Sequence, residues 1–146
     1  MMNTIVFIEY VNAENKLCPS KTSLNNAGYD LYSTEDVTIN ANSSALVSTG
    51  IKLILPHGNY GSIRSRSGLA VKNIEAGAGV IDNNYQGEIK VLLRNFNNEN
   101  YNVAKGDRIA QLIIQPYVNV DFNEVASLAD QQESDRGNNG FGSSGR

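Results

Sequence analysis

The chain has 146 residues, a net charge of −3 and a pI near 5.1. That length suits one domain with a closed core, and the acidic balance excludes a general attraction to nucleic acid or anionic membrane, which both need an excess of Lys and Arg. A single cysteine, Cys18, excludes an internal disulfide and a cysteine-built zinc site, while a single histidine, His57, argues against Cys/His catalysis and His-rich metal sites.

The first apolar run, "TIVFIEYV" (4 to 11), reads as a strand. No basic residue precedes it and Glu9 interrupts it, so neither a secretory signal nor a membrane span is expected, and the protein is expected to be soluble and intracellular. Cys18 follows and is expected to be structural. Further strands are predicted at "DVTIN" (36 to 40), "ALVSTGIKLIL" (45 to 55), "NYGSIRSR" (59 to 66), "GEIKVLLRNF" (87 to 96) and "RIAQLIIQPYVNV" (108 to 120). "IKLIL" and "GEIKV" alternate with the period of half-buried strands. No stretch keeps helical periodicity for three turns, and the one predicted helix is short, around 67 to 73, with Ser67 as its cap and Gly68 permitting an unusual start. The fold class is therefore all-β with one short helix. Residues 1 to 130 are read as the core and 131 to 146 as a flexible C-terminal segment.

Five segments carry chemistry. "AGYDLYS" (27 to 33) sets Asp30 in a strand-like alternation, where a carboxylate faces solvent or holds water or a hard cation such as Mg²⁺. "RSRSGLA" (64 to 70) joins arginine forks, hydroxyls and free helix-start N–H groups, a donor set matched to anionic oxygens, although a solvated salt-bridged turn has the same composition. "AGAGVIDNNYQGEIK" (76 to 90) places Asp82 and Tyr85 in a hairpin-like reversal, fitted to orient a water and to offer a flat face to a ring, or simply to turn the chain. "KGDRIAQLIIQP" (105 to 116) buries Gln111 in an apolar run, where its amide needs a backbone or ligand partner. Last, "RGNNGFGSSGR" (136 to 146) has eight Gly, Asn or Ser among eleven residues, a composition that orders poorly by itself. His57, between Pro and Gly, reads as a surface turn residue.

In order and spacing, "AGYDL", "RSG", "GAGVID..Y.G", "GDRIAQL" and "RG..GFGS.G" resemble the five motifs of the trimeric dUTPase family, covering residues 27 to 145. The resemblance implies a jelly-roll-like (β-clip) homotrimer that hydrolyses dUTP to dUMP and pyrophosphate with Mg²⁺, keeps uracil out of DNA and supplies dUMP for dTTP synthesis. Its three sites lie between subunits: the first, second and fourth motifs come from one chain, the third from another and the fifth from the last. Asp82 then matches the carboxylate that orients the water attacking the α-phosphorus and contacts the sugar 3′-hydroxyl. Tyr85 matches the aromatic packed on the deoxyribose. Arg66, Ser67, Gly68 and Gln111 match phosphate contacts, and Asp30 matches the carboxylate linked through water to Mg²⁺. Gly79, Val80, Ile81 and the backbone of Lys90 match the segment that reads uracil. Arg136 matches a γ-phosphate contact, Phe141 stacks on uracil, and Gly142 with Ser143 closes over the phosphates, so the tail is expected to act as a lid. Neither nucleic acid nor membrane is an expected partner.

Three departures from the family pattern stand out. Asn83 and Asn84 replace the usual acid-bearing pair after Asp82, Ser65 replaces a common proline and is expected to loosen its turn, and Lys90 replaces a common glycine, which puts base selectivity in question. Two alternatives accompany the reading. A related dCTP deaminase needs a proton-shuttling glutamate where this chain has Leu92, and a catalytically idle trimeric interaction module would need none of the site residues together. Cytoplasmic and nuclear residence, and cellular and viral origin, stay open.

Overall fold

The computed structural model describes residues 3–145. Among them are eleven strands, one short helix and one 3-10 turn, Ala13–Asn15. The strands are β1 (Phe7–Tyr10), β2 (Tyr29–Tyr32), β3 (Val37–Ile39), β4 (Ser43–Ser48), β5 (Ile51–Ile54), β6 (Asn59–Arg64), β7 (Ile74–Gly77), β8 (Val80–Ile81), β9 (Lys90–Asn95), β10 (Tyr101–Val103) and β11 (Arg108–Pro116); α1 is Ser67–Ala70. They form a four-stranded sheet β2-β11-β6-β8, a three-stranded sheet β4-β9-β7, and the two antiparallel pairs β1-β5 and β3-β10. No helix among the described residues is long and apolar enough to cross a membrane.

Alternation decides what each strand buries. In β9, Val91, Leu93 and Asn95 turn inward while Lys90 and Arg94 stay exposed, and in β5, Ile51 and Leu53 turn inward. These side chains meet Leu31, Ile39, Val47, Ile63, Ile74, Ile109 and Leu112 in one core between the sheets. Each fully buried aliphatic contributes about 1.5–3 kcal/mol of transfer free energy. Asn95 is also buried, but its amide donates to the carbonyls of Ile39, Asn40 and Glu99, so its polarity is satisfied and pins the 95–100 loop against β3.

The structure corrects several expectations. The single run 45 to 55 is two strands in different sheets, because Gly50 takes φ +68 and lies against the Thr34 methyl, turning the chain from β4's sheet toward β1. The helix is one turn long. Arg66 rather than Ser67 is its N-cap, with no side-chain cap bond, and Gly68 needs no left-handed backbone. The flanks of the 82–85 reversal do not pair as a hairpin: β8 joins β6, whereas β9 lies between β4 and β7. The last strand ends at Pro116, four residues short of the predicted end at 120. Cys18, expected to be structural, is exposed, and its contact with the Tyr10 hydroxyl pushes that phenol's pKa above its ordinary value. His57 is an exposed turn residue, as expected.

Candidate active site

The central strand β11 gathers one group of site residues. Gln111 stands opposite Asp30 on β2 and opposite Arg64 on β6, so this register alone brings the first, second and fourth motifs to one end of the sheet. The β11-β2 pairing shifts between Arg108 and Ala110, an irregularity of the kind that re-aims a side chain. Arg108 Nη1 lies 3.6 Å from Asp30 Oδ2, while Arg66 Nε lies 3.2 Å from Asp30 Oδ1 and Arg66 Nη1 donates to the Arg108 carbonyl at 3.2 Å. Two guanidinium groups thus converge on one carboxylate, with Asp107 beside them in the adjoining hollow. The corner is part-exposed, so the ion pairs order the arginines more than they stabilise the fold.

Ser65 does not loosen its turn. Its hydroxyl accepts the Ala76 N–H at 2.8 Å and its carbonyl accepts the Gln111 side-chain amide at 3.0 Å, which fixes the residue before Arg66 to both β7 and β11. Gln111 thus finds a backbone partner, and it lies so close to Gly28 that a β-carbon there would overlap its amide oxygen. Beyond Arg66, α1 begins. The N–H groups of Ser67 and Gly68 precede the first intrahelical bond and have no partner among the described residues, and nothing lies within 4 Å of where a Gly68 β-carbon would stand. The arrangement offers an anion two N–H groups, a hydroxyl and a guanidinium in open space.

The second group lines a hollow of about 560 Å³ formed by Leu46, Val80, Ile81, Asp82, Tyr85, Glu88 and Lys90. Gly79 makes it possible. Its φ is +101, its carbonyl accepts the Ile63 N–H at 2.8 Å, and a β-carbon there would sit 2.5 Å from the Ile63 carbonyl oxygen. Asp82 is exposed, and the Tyr85 N–H closes the turn on its carbonyl at 3.0 Å. Asn83, a departure by sequence, anchors this turn by donating to the Pro56 and Asn59 carbonyls at 2.8 and 2.7 Å. The Tyr85 hydroxyl donates to the Glu88 carbonyl at 2.7 Å. Lys90 Nζ lies 4.0 Å from Glu88 Oε2, so its side chain occupies the margin of the hollow and leaves its backbone in β9.

The two groups stand apart. Pairing Ser62↔Val80 and Gly61↔Ile81 runs β8 antiparallel to β6, carrying Asp82 toward the Tyr60 end while Arg64 closes the other end and Arg66 lies just beyond it. From Tyr60 to Arg64 an extended strand covers about 13 Å. Within one chain, then, Asp82 and Tyr85 are not brought to Asp30, Arg66 and Gln111. The tail joins neither group: Arg136 Nε donates to the Asn139 carbonyl at 2.7 Å, Phe141 is fully exposed at φ +49, and among the described residues every hydrogen bond of 136–145 stays within residues 134–145. Sequence reasoning missed Arg108 and Glu88 as members of these groups. Only the non-local pairings β2-β11 and β4-β9 reveal them, although the "GEIKV" alternation already placed Glu88 and Lys90 on one face.

The all-β fold is shared with solved dUTPase structures. The structure is similar to the dUTPase of Staphylococcus bacteriophage 80alpha solved with dUPNHPP, at TM-score 0.89 and 26% identity, covering 99% of this chain and 100% of that one. By sequence it is similar to the deoxyuridine 5′-triphosphate nucleotidohydrolases of Candida albicans, 48% identical over 94% of this chain and 86% of that one, and of Saccharomyces cerevisiae, 48% identical over 87% and 86%. The dUTPase family profile matches residues 14–145. The chain belongs to the dUTPase family.

Proposed function

We propose that the protein is a dUTP diphosphatase, hydrolysing dUTP to dUMP and pyrophosphate at sites shared between the subunits of a homotrimer. One observation carries the shared-site reading: the register of β6 holds the proposed phosphate-binding corner and the acid-bearing hollow at opposite ends of that strand, while the reaction needs both. A second copy that presents its hollow to the first copy's corner resolves the separation. The curated relatives' names and the nucleotide analogue in the phage structure supply the substrate class.

Arg66 and the Ser67 and Gly68 N–H groups take the triphosphate, and the Asp82 carboxylate of a neighbouring chain holds the attacking water against the α-phosphorus. The water's oxygen forms the new P–O bond, the bond to the bridging oxygen breaks, and pyrophosphate leaves. Tyr85 lies against the deoxyribose, where a 2′-hydroxyl has no room, and the backbone of Gly79 to Ile81 with Lys90 reads the base. Arg136, Phe141, Gly142 and Ser143 close over the bound nucleotide. The exposed, glycine-rich tail suits this role, since among the described residues its hydrogen bonds all stay within 134–145.

The residues present suit Mg²⁺ held mainly by substrate phosphates. No group of three or more His, Cys, Asp or Glu side chains that could hold a metal exists among the described residues, and Mg²⁺ commonly keeps several waters and one or two carboxylates besides phosphate oxygens. Asp30 meets that need through water, because each of its oxygens has one guanidinium partner and retains lone pairs. When bound, the ion would neutralise charge on the triphosphate. A dUMP-supplying role and the exclusion of uracil from DNA follow from the reaction. Leu92, half-buried opposite Leu46, does not provide the glutamate a deaminase requires. Product analysis tests the reading: dUMP and pyrophosphate from dUTP with Mg²⁺ support it, while ammonia from dCTP with dUTP untouched overturns it.

A further inference from the structure

Glu88 is half-buried, and the proposed reaction gives it no part. Its Oε1 accepts the Ser48 hydroxyl and, at 3.1 Å, the Gly50 N–H, so the carboxylate is tied to the corner where β4 ends and β5 begins. Its backbone carbonyl accepts the Tyr85 hydroxyl at 2.7 Å, and the Tyr85 ring end stands 2.6 Å from where a Gly87 β-carbon would be. Residues 85–88 thus fold back on themselves, and among the described residues the Glu88 carboxylate is the one side chain of that stretch bonded to another strand. Tyr85 itself is 44% exposed, too lightly packed to be held by its surroundings.

From this connection, Ser48 and Gly50 to Glu88 and Glu88 to Tyr85, we infer that Glu88 is a positioning residue for sugar discrimination. It holds Tyr85 at the height where the ring rejects a ribose. The inference rests on the dUTPase reading given above. A carboxylate is suited to the task because it accepts two donors from a rigid corner at once, and each such charge-assisted bond is stronger than a neutral one. Without it, the carbonyl that holds the Tyr85 hydroxyl keeps one tether in its own peptide, the Ile89 N–H bond to the Ile51 carbonyl at 2.9 Å, and loses the one from the side chain.

Full-length Glu88→Ala, Glu88→Gln and Ser48→Ala are compared with the parent for kcat and KM on dUTP and on UTP, with thermal midpoints measured alongside. A displaced ring lowers kcat/KM for dUTP by about 10- to 100-fold. UTP loses less, so the preference for dUTP over UTP narrows by about 10-fold. Glu88→Gln keeps an acceptor for the Gly50 N–H and restores most of the preference. Loss of stability alone would lower both substrates together. A folded Glu88→Ala protein with the parent's preference overturns the proposal. Ser48→Ala removes one donor without entering the hollow, and an unchanged preference there overturns it even where Glu88→Ala does not fold. A parent inactive on dUTP sinks the functional reading and this proposal together, whereas an active parent with unchanged variants sinks this proposal alone.

Discussion

At the residue scale the proposed reaction turns on Asp82, and its surroundings suit that task. The carboxylate is exposed at the rim of the hollow while its carbonyl is held by the Tyr85 N–H, so the side chain is positioned by a closed turn and left free to meet water. Asp82→Asn keeps that turn and removes the acceptor. The expected loss in kcat is about 10²–10⁴-fold, with affinity for a non-hydrolysable dUTP analogue largely kept. Stopped-time pyrophosphate release and calorimetric titration check the two halves of this statement, and turnover like the parent's removes Asp82 from the mechanism. The candidates Asp82, Tyr85, Arg66 and Gln111 could be named from sequence because their motifs are local. Ser65 was misjudged for a physical reason: a serine without proline's fixed φ is expected to be loose, yet two hydrogen bonds from β7 and β11 hold it. Neither partner is near it in sequence.

Among the elements, period-two alternation located β5 and β9 and runs of β-branched residues located β1, β3, β4, β6 and β11, and both signals failed where strands are short or polar. β7 and β10 were missed because "IEAG" and "YNV" are too brief to show a period, and both are defined by what they pair with. Gly50 divides one apolar run between two sheets, a consequence of a left-handed backbone that composition alone does not announce. Gly79 has the same standing for the hollow. Gly79→Ala forces a side chain into a left-handed conformation at a cost of about 1–2 kcal/mol, to which the collision with the Ile63 carbonyl adds. A lowered thermal midpoint and weakened uracil nucleotide binding are expected, and an unchanged midpoint would show that β8 relaxes freely. In the core, Leu93→Ala should cost about 2–5 kcal/mol, read as a lower denaturation midpoint, because Leu93 is 1% exposed and packed from several strands.

At the scale of the whole molecule, the proposed reaction needs more than a single chain. The fold class was legible, and the proposal that the tail is a separate lid rests on glycine-rich composition, which opposes burial, and on hydrogen bonds that stay local among the described residues. What no local pattern could give is the distance that β6 imposes between Arg66 and Asp82. Truncation after Asp135 should leave a folded trimer by sedimentation, with turnover severely reduced; full activity in that truncation would deny the tail its lid role. The shared site is tested most directly by complementation. Arg66→Ala and Asp82→Asn chains, each inactive alone, are co-refolded in equal amounts. Independent assortment in a trimer leaves about a quarter of the sites with an intact Arg66 from one chain and an intact Asp82 from its neighbour. Recovery of dUTP hydrolysis toward that fraction of the parent's rate is the predicted result, and mixed trimers as inactive as either variant would contradict a site built between subunits.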